Sequence, residues 1–80
     1  MIILSDIIEY THHARLRMSS RDVNEAEVEL TIREPDELIE EKDEPYKYRF
    51  IKKIGNAKIV VIAYWYKDIN RYVVKTLWRL

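Results

Sequence analysis

YKYRFIKKIGNAKIVVIAYWYKDINRYVVKTLWRL, residues 46–80, decides the fold, because its apolar residues recur with a period of two. Gly55-Asn56 and Lys67-Asp68-Ile69-Asn70 interrupt the alternation and predict two turns joining three antiparallel strands. With Ile54 opposite Ala57 and Tyr66 opposite Arg71, one face collects Tyr46, Tyr48, Phe50, Ile59, Val61, Ala63, Trp65, Tyr72, Val74, Thr76 and Trp78. Lys52 is the one basic residue among them, so this face is expected to carry the core. The other face collects Lys47, Arg49, Lys53, Lys58, Arg71, Lys75 and Arg79 around Val60, Ile62, Tyr64, Tyr66, Val73 and Leu77. Seven cations, two tyrosines and no acid then share one surface.

The preceding half reads as helical. Thr11 can cap a helix running to about Ser19, although Ser5 offers a cap for a longer one through Ile7 and Ile8. The next helix has a fuller start signal: Asn24 as N-cap, Glu27 at the third helical position, and Val23 and Val28 as a hydrophobic staple. Pro35 closes it. Its apolar residues fall on two sides, Ala26/Leu30 and Val28/Ile32, which predicts one contact with the sheet and another with the first helix or a partner chain. The acidic stretch EPDELIEEKDEP (34–45) reads as a solvated connector with a short edge strand around Leu38-Ile39. The expected architecture is α+β, two N-terminal helices packed on one face of a small antiparallel sheet, with residues 1–80 forming a single domain.

Eighty residues bound the core, since a chain of this size buries only about 60–65% of the surface it exposes when unfolded. There is no cysteine, hence neither a disulfide nor a thiolate metal site. Met1-Ile2-Ile3-Leu4 meets Ser5-Asp6 too soon for a secretory h-region, and no apolar run approaches the ~20 residues of a membrane span, so a cytoplasmic domain with no membrane partner is expected. The net charge of zero conceals a segregation. Residues 1–45 hold five Lys/Arg against thirteen Asp/Glu, and residues 46–80 hold nine against one. Either the halves pair internally or the basic half meets a charged partner.

The basic sheet face has the composition of an RNA-binding surface. Cations release counterions on meeting phosphates, and tyrosines stack on unpaired bases. Lys47, Lys58, Tyr64 and Arg71 are the candidate RNA contacts. The alternative is an amphipathic sheet whose outer apolar strip is covered by a protein partner. On the first helix, His13, Arg17 and Arg21 form one stripe at ~100° per residue, flanked by Ala14 and Met18 on one side and Leu16 on the other. The stripe is therefore expected to lie toward the protein, as a structural element paired with carboxylates or carbonyls of the acidic loop. His12 and His13 project about 100° apart, which with no cysteine argues against zinc.

The segment THHARLRMSSRDVNEAEV (11–28) resembles the pattern T-x-H-A-x-x-R-M-x-x-R-x-I-[ST]-x-x-x-V of a small prokaryotic domain family of unknown function, usually grouped with the RelE/ParE toxin superfamily. Thr11, His13, Ala14, Arg17, Met18, Arg21 and Val28 fall on the motif, while Val23 and Asn24 depart mildly. Pro35-Asp36, YRFIKKIG (48–55) and VVKTLWR (73–79) are similar to later parts of the pattern. The resemblance implies a RelE-like fold. It also implies either a metal-independent endoribonuclease, acting on mRNA or at the ribosome and neutralised by an antitoxin protein, or a ParE-like domain that blocks a topoisomerase. No cofactor is implied, and a homodimer stays open. Cleavage would use the RNA 2′-hydroxyl as nucleophile, with Arg49, Lys53, Lys75 and Arg79 stabilising the phosphorane. The predicted face lacks histidine and carboxylate, so Tyr66, Tyr64 or a lysine would have to move the proton.

Overall fold

The computed structural model describes residues 7–80. Its elements are β1 (Ile8–Tyr10), α1 (His12–Arg21), α2 (Glu25–Arg33), β2 (Glu37–Glu40), β3 (Lys47–Ile54), β4 (Ala57–Tyr66), a 3₁₀ turn (Lys67–Ile69) and β5 (Arg71–Arg79). The strands form one sheet in the order β1-β5-β4-β3-β2. Both helices pack on one face of it, giving the α+β architecture expected. β3, β4 and β5 are the antiparallel meander read from the alternation, with Ile54 opposite Ala57 and Tyr66 opposite Arg71. Gly55 takes a φ of 61° in the first hairpin, and Asn70 closes the second turn in the left-handed conformation that asparagine tolerates.

β1 makes the sheet mixed. Ile8, Glu9 and Tyr10 run parallel to β5 opposite Tyr72, Val73 and Val74. Ile8 thus belongs to a strand, so no helix passes through it, and α1 starts from Thr11, whose Oγ1 accepts the Ala14 N–H at 3.1 Å. The Ser5 cap lies outside the described residues. α2 begins with the capping box read from the sequence: Glu27 N–H donates to Asn24 Oδ1 at 2.8 Å, and Asn24 N–H donates to Glu27 Oε1 at 3.1 Å. Val23 and Val28 of the staple are both buried.

The core joins Ala14, Met18, Val28 and Ile32 of the helices to Phe50, Ile59, Val61, Ala63, Tyr72 and Val74 of the sheet. Phe50 and Tyr72 meet edge to face with centroids 5.6 Å apart. On α2 only the Val28/Ile32 side is buried. Ala26 and Leu30 are exposed, and the two helices are tied instead by an ion pair between Arg15 and Glu25. Tyr46 also departs from the expected core face. It precedes β3 in a left-handed turn at φ 61°, which throws its ring into solvent.

One irregularity changes the faces of the sheet. Ile62 pairs with Thr76 but Ala63 pairs with Val74, so Lys75 is an extra residue in β5, a β-bulge. Beyond the bulge the parity inverts. Leu77 is fully buried in the core, whereas Thr76 and Trp78, expected there, lie on the opposite face beside Ile62 and Val60. Arg79, expected on that opposite face, turns to the helix side. Thr11 holds the bulge: its N–H donates to the Val74 carbonyl and its hydroxyl to the Lys75 carbonyl, each at 3.1 Å.

Candidate nucleic-acid interface

Much of the segregated charge is consumed inside the fold. Asp43 and Glu44 of the acidic connector approach Lys47 Nζ to 3.1 and 3.6 Å. Glu41 holds Arg49 at 2.8 Å, and Glu9 of β1 holds Arg71 at 2.6 Å. Lys52, on the helix side as expected, donates to the Glu34 carbonyl at 2.7 Å. The pairing leaves its mark on the titrating groups. The Lys47 ammonium holds Asp43 below the ordinary aspartate range, the Tyr64 hydroxyl and then Lys47 and Lys75 hold Glu44 below that of glutamate, and Asp43 raises Lys47 in return. Three of the seven cations expected on the outer face, Lys47, Arg49 and Arg71, are therefore neutralised.

Part of the apolar strip of that face is covered as well. Val60 and Ile62 are only 3% and 4% exposed, lying beside Trp78, with the Arg49 guanidinium 6.0 Å from the Trp78 ring centre. The chain itself shields this part of the strip, while Tyr66 stays 46% exposed.

Several cations with no ion pair among the described residues gather elsewhere. His13, Arg17 and Arg21 stand one helical turn apart on α1 and face the end of β5. Past Val74 the strand has no neighbour on that side among the described residues, because β1 pairs no further than Tyr10. The helix stripe and this open strand edge enclose a groove of about 570 Å³, lined by His13, Arg17, Arg21, Lys75, Thr76, Trp78, Arg79 and Leu80. Among the described residues, no Asp or Glu side chain lines it. Among the described residues, Arg17, Arg21 and Arg79 form no ion pair. Arg17 Nε–H points to His13 Nε2 at 3.4 Å, and Arg79 donates to the carbonyl of Asp22 at 2.9 Å. Asp22 caps the C-terminus of α1, the negative end of its dipole, where a guanidinium is favoured.

The bulge assembles the groove. It turns Arg79 toward the helix side and sets Lys75 on the seam between the groove and the outer face. There Lys75 Nζ lies 3.3 Å from the Tyr64 hydroxyl and 5.5 Å from the ring centre. A second pocket, of about 380 Å³, opens beyond it, lined by Thr11, Glu44, Tyr64, Tyr66, Val73 and Lys75. At the other end, Leu80 lines both the groove and a pocket that holds Lys53 and Lys58. A track of cations with no ion pair among the described residues thus runs from the β5 edge past Leu80 to the β3–β4 hairpin.

The candidate residues therefore divide. Lys75 and Arg79 join His13, Arg17 and Arg21 in the groove. Lys53 and Lys58 face each other at the β3–β4 hairpin, and Tyr64 and Tyr66 share the pocket past the bulge. Arg49, Lys47 and Arg71 are held by acids away from the groove. The stripe of α1 borders the groove with His13 and Arg21 exposed and Arg17 half-buried, and it does not meet the acidic connector, which meets β3 and β4 instead. The residue missed as a chemical candidate is His13. Its signal was the spacing His13-Arg17-Arg21, which puts imidazole and guanidinium groups on one helical face. Among the described residues no three His, Asp or Glu side chains are grouped so as to hold a metal ion. No helix among them is long and apolar enough to cross a membrane.

Fold and site together define a small α+β domain with a basic groove between its first helix and last strand. The chain belongs to the family described as Domain of unknown function (DUF4258), whose pattern it matches over residues 10–79. No curated protein and no solved structure matches it.

Proposed function

We propose that this protein binds single-stranded RNA along the β5 groove and cleaves it without a metal, as a toxin-like protein of the cytoplasm controlled by an antitoxin. The convergence of His13, Arg17 and Arg21 with Lys75 and Arg79 carries this reading. Four cations with no carboxylate among the described lining residues suit phosphates, and the guanidinium groups suit phosphate oxygens through their fork of N–H donors. The track continues past Leu80 to Lys53 and Lys58, which suits a polymer better than a single small anion.

The imidazole supplies the proton acceptor that the sheet face lacks. With Nε2 accepting the Arg17 N–H, the neutral imidazole carries its proton on Nδ1, and Nε2 becomes the proton acceptor when Arg17 turns its N–H to a bound phosphate. In the proposed reaction His13 removes the proton of an RNA 2′-hydroxyl, and that oxygen attacks the adjacent phosphorus in line. Arg17, Arg21 and Arg79 stabilise the charge on the pentacoordinate phosphorane. The P–O5′ bond breaks, the leaving oxygen takes its proton from the Lys75 ammonium, and the products carry a 2′,3′-cyclic phosphate and a 5′-hydroxyl. An acidic antitoxin segment would occupy the same groove. The alternative reading, a non-catalytic protein-interaction module on the sheet face, draws less support, since Val60 and Ile62 are covered within the chain.

The test incubates the purified protein with mRNA, with and without translating ribosomes, in the presence of EDTA. Cyclic-phosphate ends are expected from the wild type. His13→Ala is expected to lose about 10²–10⁴-fold in rate while still binding. Intact RNA in every condition would refute the nuclease and leave only a binding protein.

A further inference from the structure

The pocket past the bulge contains a feature that phosphate binding does not explain. Among the described residues Glu44 is the one acid lining the groove and its extensions, and a carboxylate there repels the backbone that the neighbouring cations attract. It is fixed in place: the Tyr64 hydroxyl donates to Glu44 Oε2 at 2.6 Å, and Lys47 lies 3.6 Å from Oε1. Its side chain nonetheless stays 44% exposed, so both oxygens keep lone pairs to offer. Beside it, the Tyr64 and Tyr66 rings lie nearly parallel, at 17° with centroids 6.3 Å apart, and Tyr66 is 46% exposed. An open aromatic face next to an oriented carboxylate, one residue from a phosphate groove, is the equipment for reading a base.

We infer that this pocket is a base-recognition subsite and that it prefers guanine. The inference rests on the RNA-binding reading of the groove and extends it to sequence. A strand leaving the groove passes Lys75, which holds a phosphate at the seam, and the next base stacks on Tyr66. Guanine alone presents two adjacent donors, N1–H and N2–H₂, on its Watson–Crick edge, and these match the two oxygens of one carboxylate. Uracil offers a single N–H between two carbonyls that the Glu44 charge repels. Adenine and cytosine offer one amino group beside a ring acceptor.

The experiment measures binding of 2′-O-methyl oligonucleotides, which cannot be cleaved by 2′-hydroxyl attack. An oligouridylate is compared with the same oligomer carrying one guanosine or one inosine, the latter lacking the N2 amino group. Wild-type protein should bind the guanosine oligomer about 10-fold more tightly than oligouridylate, the scale of one bidentate base contact. Inosine should fall between. Glu44→Gln should bring the ratio to about one without weakening oligouridylate binding, since it removes a negative charge from the track. Tyr66→Leu should weaken the guanosine oligomer by about 10-fold, the scale of one lost stacking contact, and Tyr66→Phe should restore it. Equal affinities for guanosine and uridine oligomers, with binding still dependent on Arg17, would overturn the subsite and leave the groove reading standing. A guanine preference that survives Glu44→Gln would overturn the role of the carboxylate. Failure of every oligomer to bind would bring down the groove reading itself.

Discussion

Replacing Arg17 by alanine separates the groove from the outer sheet face as the seat of RNA binding. The groove offers four cations, Arg17, Arg21, Lys75 and Arg79. For a single-stranded ligand each neutralised phosphate contributes about −0.7 to the slope of log affinity against log salt, so the wild-type slope should be about −2.8. Between 50 and 200 mM salt that slope corresponds to a loss of about 50-fold in affinity. Arg17→Ala should lower the steepness to about −2.1, and so should Arg79→Ala. Arg49→Ala removes the same formal charge but should leave the slope unchanged, because Glu41 already neutralises Arg49 at 2.8 Å. Fluorescence anisotropy of a labelled RNA titrated with KCl measures all four slopes, and thermal melts check that the variants are folded. Arg17 makes no ion pair among the described residues, so its removal leaves no buried carboxylate exposed and should change the melt little. The reasoning is refuted if Arg49→Ala flattens the salt dependence while Arg17→Ala and Arg79→Ala do not.

Three further outcomes test the scaffold. Thr11→Val deletes both the helix cap and the hydroxyl that holds the bulge; it should cost about 1 kcal/mol, lowering Tm by about 4–8 °C, and weaken RNA binding as Lys75 and Arg79 lose their placement. The Tyr10 hydroxyl is buried with no hydrogen-bond partner among the described residues, and burial pushes its pKa up to about 12; Tyr10→Phe should therefore leave the melt unchanged or raise it by about 1 kcal/mol, whereas a clear loss would reveal a partner. Glu44 is held below the ordinary glutamate range, so the unfolded chain binds its proton first as pH falls; the difference in Tm between wild type and Glu44→Gln should be full at neutral pH and fade on acidification through the depressed folded value.

The period of two carried most of the sheet, since one wrong parity would have put Phe50, Ile59 and Val61 in solvent and Lys58 in the core. The capping box and staple of α2 were equally legible, because they rest on contacts between residues three to five apart. The edge strand β2 was readable from Leu38-Ile39 alone. β1 was not: its three residues pair with a strand more than sixty positions later, and Ile7-Ile8 fits the start of a helix as well as a strand. The bulge was hidden for a related reason. In Val73-Val74-Lys75-Thr76-Leu77-Trp78 strict alternation puts Thr76 and Trp78 inward, while one slipped residue puts Leu77 inward, and both patterns bury an apolar side chain. What chooses is Thr11, which binds the Val74 and Lys75 carbonyls from another element. The candidate site was legible only in halves, for the same cause. The basic residues were counted correctly, but their faces depended on the bulge and their free charge on acids brought in from positions 9 and 41–44.

The helical motif makes sense only with that bulge in place. Thr11, Ala14 and Met18 follow one line of α1: the first locks β5, the other two pack on the sheet. His13, Arg17 and Arg21 follow a neighbouring line about 100° away from Ala14, so the same contacts that seat the helix aim its cations at the open edge of β5. Scaffold and site are therefore two stripes of one short helix and cannot drift independently. Inserting one residue between Thr11 and His13 would rotate the basic line by about 100° relative to the lock. Either the cap would fail, or Arg17 and Arg21 would turn away from Lys75 and Arg79. An arrangement that serves stability alone has no need of this coupling, because an apolar line facing the sheet is enough to hold a helix. Carrying unpaired guanidinium groups to a strand edge adds repulsion within the fold, which a polyanion in the groove would relieve.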